Sequence, residues 1–71
     1  MEIKIRGYIT LGQLLKLVGE VGSGGEIKPY LSEHSPLVNG QQENRRGRKL
    51  RAGDVVVLPK QGEIKCVSDD S

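Results

Sequence analysis

The segment NGQQENRRGRKLRAGD, residues 39–54, contains a dense cluster of cations. Within seven residues it places Arg45, Arg46, Arg48, Lys49 and Arg51. Four of these are arginine, whose planar guanidinium can bind a phosphate through two parallel hydrogen bonds, and Gly47 lets the backbone approach a partner closely. The cluster therefore predicts a phosphate-binding segment; the alternative is a solvated charged loop that only aids solubility.

The cluster contains no aromatic residue, although single strands are commonly bound by stacking their bases on exposed rings. Structured nucleic acid, recognised through its backbone, is therefore the expected partner. The charge distribution agrees, because residues 45–60 hold six cations and one anion, a net charge of +5, whereas the rest of the chain carries −3. The 71-residue chain thus has a basic pole.

The sequence offers no catalytic grouping. Its one histidine, His34, stands beside Ser32 and Glu33, and neighbours along a helix end point in different directions, so these side chains cannot surround a cleft. The glycines of residues 22–25 lack the Lys-Ser/Thr that ends a nucleotide-binding phosphate loop and are interpreted as a turn between helices. We therefore expect no enzyme, no cofactor and no small-molecule substrate.

The single cysteine, Cys66, has no partner for a disulfide or a metal site, which is typical of a reducing compartment, and is expected to fill space in a strand. No apolar run reaches the roughly 20 residues of a membrane span, and the N-terminus lacks the apolar segment of a signal peptide. We expect a cytoplasmic monomer with no membrane partner. Residues 1–71 are predicted to form one domain with a small core.

A strand and a helix are predicted first. Residues 2–6, EIKIR, alternate apolar and charged side chains, the period of a half-buried strand. Residues 10–13, TLGQ, fit a capping box, and apolar side chains recur at helical spacing from Leu11 to Val18. A helix is therefore predicted from about Thr10 to Val18, with Lys16 pointing away from its apolar stripe.

A second capping box, SGGE, occupies residues 23–26, and Ile27, Tyr30 and Leu31 form the apolar face of a second helix. In a helix that began at this box, Pro29 would delete a hydrogen bond and crowd the preceding turn. The second helix is therefore predicted to be kinked or to start late, and to end before Pro36.

Short strands and turns fill the remainder. Leu37 and Val38 run into Asn39-Gly40, a strong hairpin signal, with a return strand over residues 42–44. Turns are predicted at residues 52–54 and 59–62, and a buried strand lies between them at residues 55–58. Residues 63–67 are predicted to form a strand at the sheet edge, beside residues 2–6. Residues 68–71 are predicted to be a flexible tail. The predicted fold class is α+β.

Five segments in fixed order, LGQLLK, SGGEIK, LVNG, RRGRKL and AGDVV, carry a family resemblance over residues 8–58. The set resembles the ribosomal protein S-four-type RNA-binding domain, also called the alpha-L motif, and RRGRKLRAGD resembles its small stand-alone YaaA/YbcJ-type members in bacteria. The resemblance implies two packed helices against a small curved, mainly antiparallel sheet, with RNA docking along the helices and the adjoining loop. Ile27, where members often carry Ala, and Pro29 depart from the family pattern.

The resemblance also implies an RNA-binding surface. Carried over by position, it comprises Lys16 on the first helix, Ser23, Gly24 and Lys28 at the start of the second, and Arg45, Arg46, Arg48, Lys49 and Arg51 in the loop. Asn39-Gly40 and Gly53-Asp54 match the family pattern too, but we assign them to turns, because phosphate repels a carboxylate such as that of Asp54.

These observations predict a non-catalytic module that binds structured RNA, ribosomal or transfer, and through it the ribosome, in ribosome assembly, translation or rescue of stalled ribosomes. One alternative is a protein-interaction module that docks its basic loop on an acidic partner protein. Duplex DNA is disfavoured, because neither helix has a long exposed face of base-reading side chains for the major groove.

Overall fold

A computed structural model of the chain describes residues 1–69, and a five-stranded sheet is its largest element. The strands of the chain are β1 (Glu2–Ile5), β2 (Ile9–Thr10), β3 (Leu37–Val38), β4 (Gln41–Gln42), β5 (Lys49–Leu50), β6 (Val55–Leu58) and β7 (Gly62–Ser68). The sheet has the order β1-β7-β6-β3-β4, in which β1 and β7 are parallel and the other pairs are antiparallel. Strands β2 and β5 form a separate antiparallel ribbon.

Two short helices, α1 (Leu11–Leu17) and α2 (Ile27–Glu33), complete the domain, and a 3₁₀ helix, Gly24–Glu26, leads into α2. The predicted α+β class, with two helices and a mainly antiparallel sheet, is confirmed. Within residues 1–69, no helix has the length and apolar character needed to cross a membrane.

The start of α1 follows the predicted capping box. The Thr10 hydroxyl accepts a hydrogen bond from the Gln13 backbone N–H at 3.2 Å, and the Gln13 side-chain oxygen accepts from the Thr10 N–H at 2.9 Å. Leu11, Leu14 and Leu15 are fully buried, whereas Lys16 is exposed. Sequence pattern and capping thus fix both the boundary of this helix and the face that Lys16 occupies.

Replacing Thr10 by alanine is expected to lower the free energy of unfolding by about 1 kcal/mol, because the Gln13 backbone N–H in the first turn loses the hydroxyl that accepts its hydrogen bond. Urea denaturation measures the change. Thr10→Ser keeps the hydroxyl and serves as the control, with a loss well below that of Thr10→Ala. Equal stability of the alanine variant and the parent chain would show that the box contributes nothing.

Pro29 lies in the first turn of α2, because α2 begins only at Ile27. Backbone N–H groups of a first turn have no intrahelical acceptor, so proline is tolerated there. The second capping box is present: the Glu26 carboxylate accepts from the Ser23 N–H at 3.1 Å and also from the Gly22 N–H. The predicted late start is confirmed, and the helix ends before Pro36 as expected.

The Asn39-Gly40 turn is confirmed, since both residues have positive φ, 52° and 82°. The return strand was predicted one residue too late: a two-residue turn pairs Val38 with Gln41, so β4 is Gln41–Gln42 rather than residues 42–44.

Strand β6 is buried on one face only, with Val56 and Leu58 inside and Val57 exposed, because its other face has no covering layer.

The predicted edge position of residues 63–67 is wrong. Strand β7 does pair with β1 as expected, but it also pairs with β6 and so lies inside the sheet. The predicted tail of residues 68–71 is also too long, because β7 extends to Ser68 and the Asp69 N–H donates to the Ile5 carbonyl at 3.0 Å. Asp70 and Ser71 lie outside the described residues.

One carboxylate lies inside the core. Glu20 is 3% exposed and accepts hydrogen bonds from the Tyr30 hydroxyl at 2.6 Å and from the backbone N–H groups of Lys60 and Gln61, both at 3.2 Å. Burial, together with this contact, raises the pKa of Tyr30 above its ordinary value. Glu20 therefore ties the segment after α1 to α2 and to the turn between β6 and β7, which holds both helices against the sheet.

Candidate nucleic-acid interface

The cation-rich segment of residues 45–51, here called the basic loop, is attached to the N-terminus of α1 through backbone hydrogen bonds. The Leu11 N–H donates to the Arg48 carbonyl at 2.8 Å, and the Gly12 N–H donates to the Arg46 carbonyl at 2.9 Å. A Cβ atom at position 12 would lie 3.4 Å from that Arg46 oxygen, so glycine permits the close approach. The loop carbonyls thus satisfy N–H groups that the first helical turn leaves without partners.

Glu43 binds two arginines of the basic loop, Arg45 and Arg48. Its carboxylate is 9% exposed and accepts hydrogen bonds from Arg45 Nε at 3.0 Å, Arg45 Nη2 at 3.1 Å and Arg48 Nη1 at 2.9 Å. It also accepts from the Arg45 backbone N–H at 3.1 Å, while its own N–H donates to the Pro36 carbonyl at 2.8 Å. Charged donors and a buried acceptor make these hydrogen bonds stronger than neutral ones, so Glu43 fixes the loop to the hairpin.

Hydrogen bonding by Arg45 is the main cause that lowers the pKa of Glu43 from 4.5 to about 2, with Arg48 adding to the effect. Because the folded-state pKa lies below the unfolded value, ionised Glu43 stabilises the fold fully above about pH 4.5. That contribution is lost as the pH falls toward 2. Glu43 therefore remains ionised, and the loop organised, throughout the neutral range.

Arg46 extends from the basic loop toward both helices. With Lys16 of α1 and Gly24 of the 3₁₀ helix it lines one surface groove, here called the helix groove, whose other walls are Thr10, Gly12, Gln13, Ile27 and Gly47. With Lys28 and Asn44 it lines an adjoining groove along α2. Residues from three separate parts of the sequence, 10–16, 24–32 and 44–47, thus meet around one arginine.

The remaining loop cations do not line the helix groove. Arg45, Arg48, Lys49 and Arg51 line a third groove together with that glycine. Lys49 Nζ also lies 5.0 Å from the ring centre of Tyr8, and Arg51 Cζ lies 5.8 Å from it. The ribbon of β2 and β5 causes this contact, because it pairs Ile9 with Leu50 and so brings Tyr8 beside the loop.

A family model described as the S4 domain matches residues 1–67 of this chain. The chain belongs to the S4 domain family. A relative in Bacillus subtilis (strain 168), named probable ribosome maturation protein RlbA, is 53% identical over 60 residues, which cover 84% of each chain. The predicted resemblance is therefore confirmed, and the family match extends past the predicted residues 8–58 to take in β1 and most of β7.

Eight of the nine predicted surface residues line the three grooves of this S4 domain. Ser23 is the exception: it is exposed and precedes Gly24 at the start of the 3₁₀ helix, but it does not line the helix groove. The structure also divides the cations, because Arg45 and Arg48 are paired with Glu43.

The turn assignments within the S4 domain are confirmed. The Asp54 carboxylate accepts from the Arg51 backbone N–H at 2.8 Å and from the Asn39 side-chain amide at 2.9 Å, and Asn39 in turn accepts from the Val55 N–H at 2.9 Å. The Arg51 hydrogen bond is the main cause that lowers the pKa of Asp54. Asp54 therefore holds the end of the basic loop.

Two residues that shape this site were missed by the sequence reasoning. Glu43 stands two and five positions before the arginines that it binds, a spacing that could have identified it as their partner. Tyr8 carries no such signal, because only the tertiary pairing of β2 with β5 places it beside Lys49 and Arg51.

Proposed function

We propose that this S4 domain is a non-catalytic module that binds structured RNA through the helix groove and the basic loop. The observation that carries the proposal is the position of Arg46, which shares one groove with Lys16 and Gly24 and another with Lys28. Cations from α1, α2 and the basic loop converge there, and together they give the two grooves a positive potential that attracts an anion.

The charges available to a ligand support the same proposal. Within residues 1–69, five of the predicted surface cations form no ion pair with a carboxylate: Lys16, Lys28, Arg46, Lys49 and Arg51. They surround the grooves, whereas Arg45 and Arg48 are engaged with Glu43. Cations that line surface grooves suit the phosphates and 2′-hydroxyls of a folded RNA better than the base edges of a particular sequence.

We further propose that the RNA is ribosomal and that the module assists ribosome maturation in the cytoplasm as a monomer. The proposed role in ribosome maturation rests on the name of the Bacillus subtilis relative, a probable ribosome maturation protein, and on an identity of 53%. Transfer RNA is the second candidate ligand, since a small cationic surface that contacts phosphates and 2′-hydroxyls does not by itself distinguish one folded RNA from another.

The salt dependence of binding tests the proposal. If the five cations that lack a carboxylate partner among residues 1–69 each neutralise one phosphate, log K should fall with log salt at a slope of about −3.5 to −4.5. Fluorescence anisotropy with a labelled RNA hairpin, whose stem spans about 16 base pairs, measures the slope. A slope near −1 would contradict a surface built from these cations.

If the basic loop instead docked on an acidic protein partner, the binding and co-purification experiments would give a different result. A protein-interaction module would bind the hairpin weakly, and a defined protein would remain bound after nuclease treatment of the purified complex. Loss of every co-purifying macromolecule on nuclease treatment is the outcome expected for an RNA-binding module.

A further inference from the structure

We propose that Tyr8 stacks on one unpaired base of the bound RNA, so that the module recognises a helix interrupted by a bulged nucleotide. This inference rests on the proposed RNA-binding function and names the RNA feature that the site takes. It depends on the exposure of Tyr8, on the cations around its ring and on the groove beside it.

Tyr8 is 50% exposed, which is unusual for one of only two aromatic residues in a chain with a small core. The other, Tyr30, is buried and bonded to Glu20. In the β2–β5 ribbon, Leu50 is fully buried, and its neighbours Lys49 and Arg51 are exposed and lie over the Tyr8 ring. The core therefore does not account for the position of this ring.

A groove runs from Tyr8 along α1, between Ile9, Gln13 and Leu17, and is here called the tyrosine groove. Lys4, Arg6 and Lys16 also line it, and its lining residues include no carboxylate; Arg6 is paired with Asp69, which does not line the groove. Gln13 and Lys16 also line the helix groove, so the two grooves adjoin along α1. An RNA backbone held by Lys16 and Arg46 can therefore place an adjacent nucleotide against Tyr8.

The chemistry of the groove favours a nucleobase over a protein side chain. A base combines a flat apolar face, which suits a tyrosine ring, with attached phosphate, which suits the surrounding cations. Leu17 is 61% exposed and adds apolar surface beside the ring. An apolar protein segment would also contact Tyr8 and Leu17, but it would leave Lys4, Lys16, Lys49 and Arg51 without counter-charge.

Two RNA hairpins test the inference with the full chain. Both have a stem of about 16 base pairs, and one carries a single unpaired adenosine in the middle of its stem. The chain should bind the bulged hairpin at least about fivefold more tightly than the uninterrupted one, the lower bound for stacking a base on an aromatic ring. Tyr8→Phe keeps the ring and should keep this preference, whereas Tyr8→Leu should remove it.

The preference, rather than either affinity alone, is the decisive quantity, since Tyr8→Leu also alters the packing of Lys49 and Arg51 and can weaken both complexes equally. Urea denaturation verifies that Tyr8→Leu is folded. If the chain shows no preference, or if Tyr8→Leu retains it, the stacking role is overturned while the proposed RNA-binding function stands on its affinity for the uninterrupted stem. If neither hairpin binds, the proposed function is overturned together with this inference.

Discussion

Replacing Lys16 and Arg46 together by alanine is expected to weaken RNA binding on the order of 100-fold, because each side chain supplies a charge-assisted contact of about 1.5 kcal/mol or more. Both residues line the helix groove, and neither is paired with a carboxylate within residues 1–69. The fold should be unaffected. Lys16 is exposed on α1, and the Arg46 carbonyl that accepts from Gly12 is a backbone group that alanine retains.

A matched control separates local contact from loss of charge. Lys60→Ala/Lys65→Ala also removes two positive charges, but from exposed positions that do not line the grooves of the proposed surface. It should weaken binding only a few-fold, and anisotropy titrations at one salt concentration compare the two variants directly. Equal losses in both double variants would mean that RNA responds only to net charge and that the helix groove is not its site.

Replacing Glu43 by glutamine is expected to weaken RNA binding about tenfold even though it makes the chain more positive. The Glu43 carboxylate accepts four hydrogen bonds, from Arg45 and Arg48, in a nearly buried position. A glutamine amide offers one oxygen and directs N–H donors at guanidinium donors. The loop should therefore loosen, with a loss of about 1–2 kcal/mol in the free energy of unfolding.

Glu63→Gln provides the control for this prediction, because Glu63 is exposed on β7 and the substitution makes the same change in charge. It should leave stability unchanged and strengthen RNA binding slightly. Urea denaturation and anisotropy measure the two effects. If Glu43→Gln bound RNA more tightly than the parent chain, Glu43 would weaken RNA binding by neutralising Arg45 and Arg48, instead of strengthening it by positioning them.

The role of Glu43 also determines which arginine substitutions test RNA contact without disturbing the loop. A variant that removes Arg45 and Arg48 would leave a nearly buried carboxylate without its charged donors, so lost binding could reflect a disordered loop. Arg46 makes no such contact within the described residues 1–69. The cation cluster looks uniform in sequence, but Arg45 and Arg48 bind Glu43, whereas Arg46, Lys49 and Arg51 have no carboxylate partner within residues 1–69.

The elements with strong local signals were predictable. Thr10 and Gln13 form a capping box four residues long, and the Asn39-Gly40 turn needs only two residues with positive φ, so neighbours in sequence decide both. The late start of α2 at Ile27 follows from Pro29 in the same way. From these short-range features the order of the helices and strands around the basic loop could be predicted.

The parts that failed depend on distant partners. Strands β2 and β5 are two residues each, too short to show a period, and they exist because they pair with one another. The interior place of β7 depends on β1, which precedes it by nearly the whole chain. For the same reason the sequence indicated a surface without aromatics, whereas the fold brings Tyr8 to its edge.

The most direct test of the account is crosslinking of the protein to RNA in its own cells, followed by sequencing of the attached RNA. The parent chain, Lys16→Ala/Arg46→Ala and Lys60→Ala/Lys65→Ala are compared at equal expression. We expect one region of ribosomal RNA to be enriched with the parent chain and with the Lys60/Lys65 variant, and this enrichment to be lost with the Lys16/Arg46 variant. The same crosslinking profile from all three proteins would contradict an RNA-binding surface centred on Arg46.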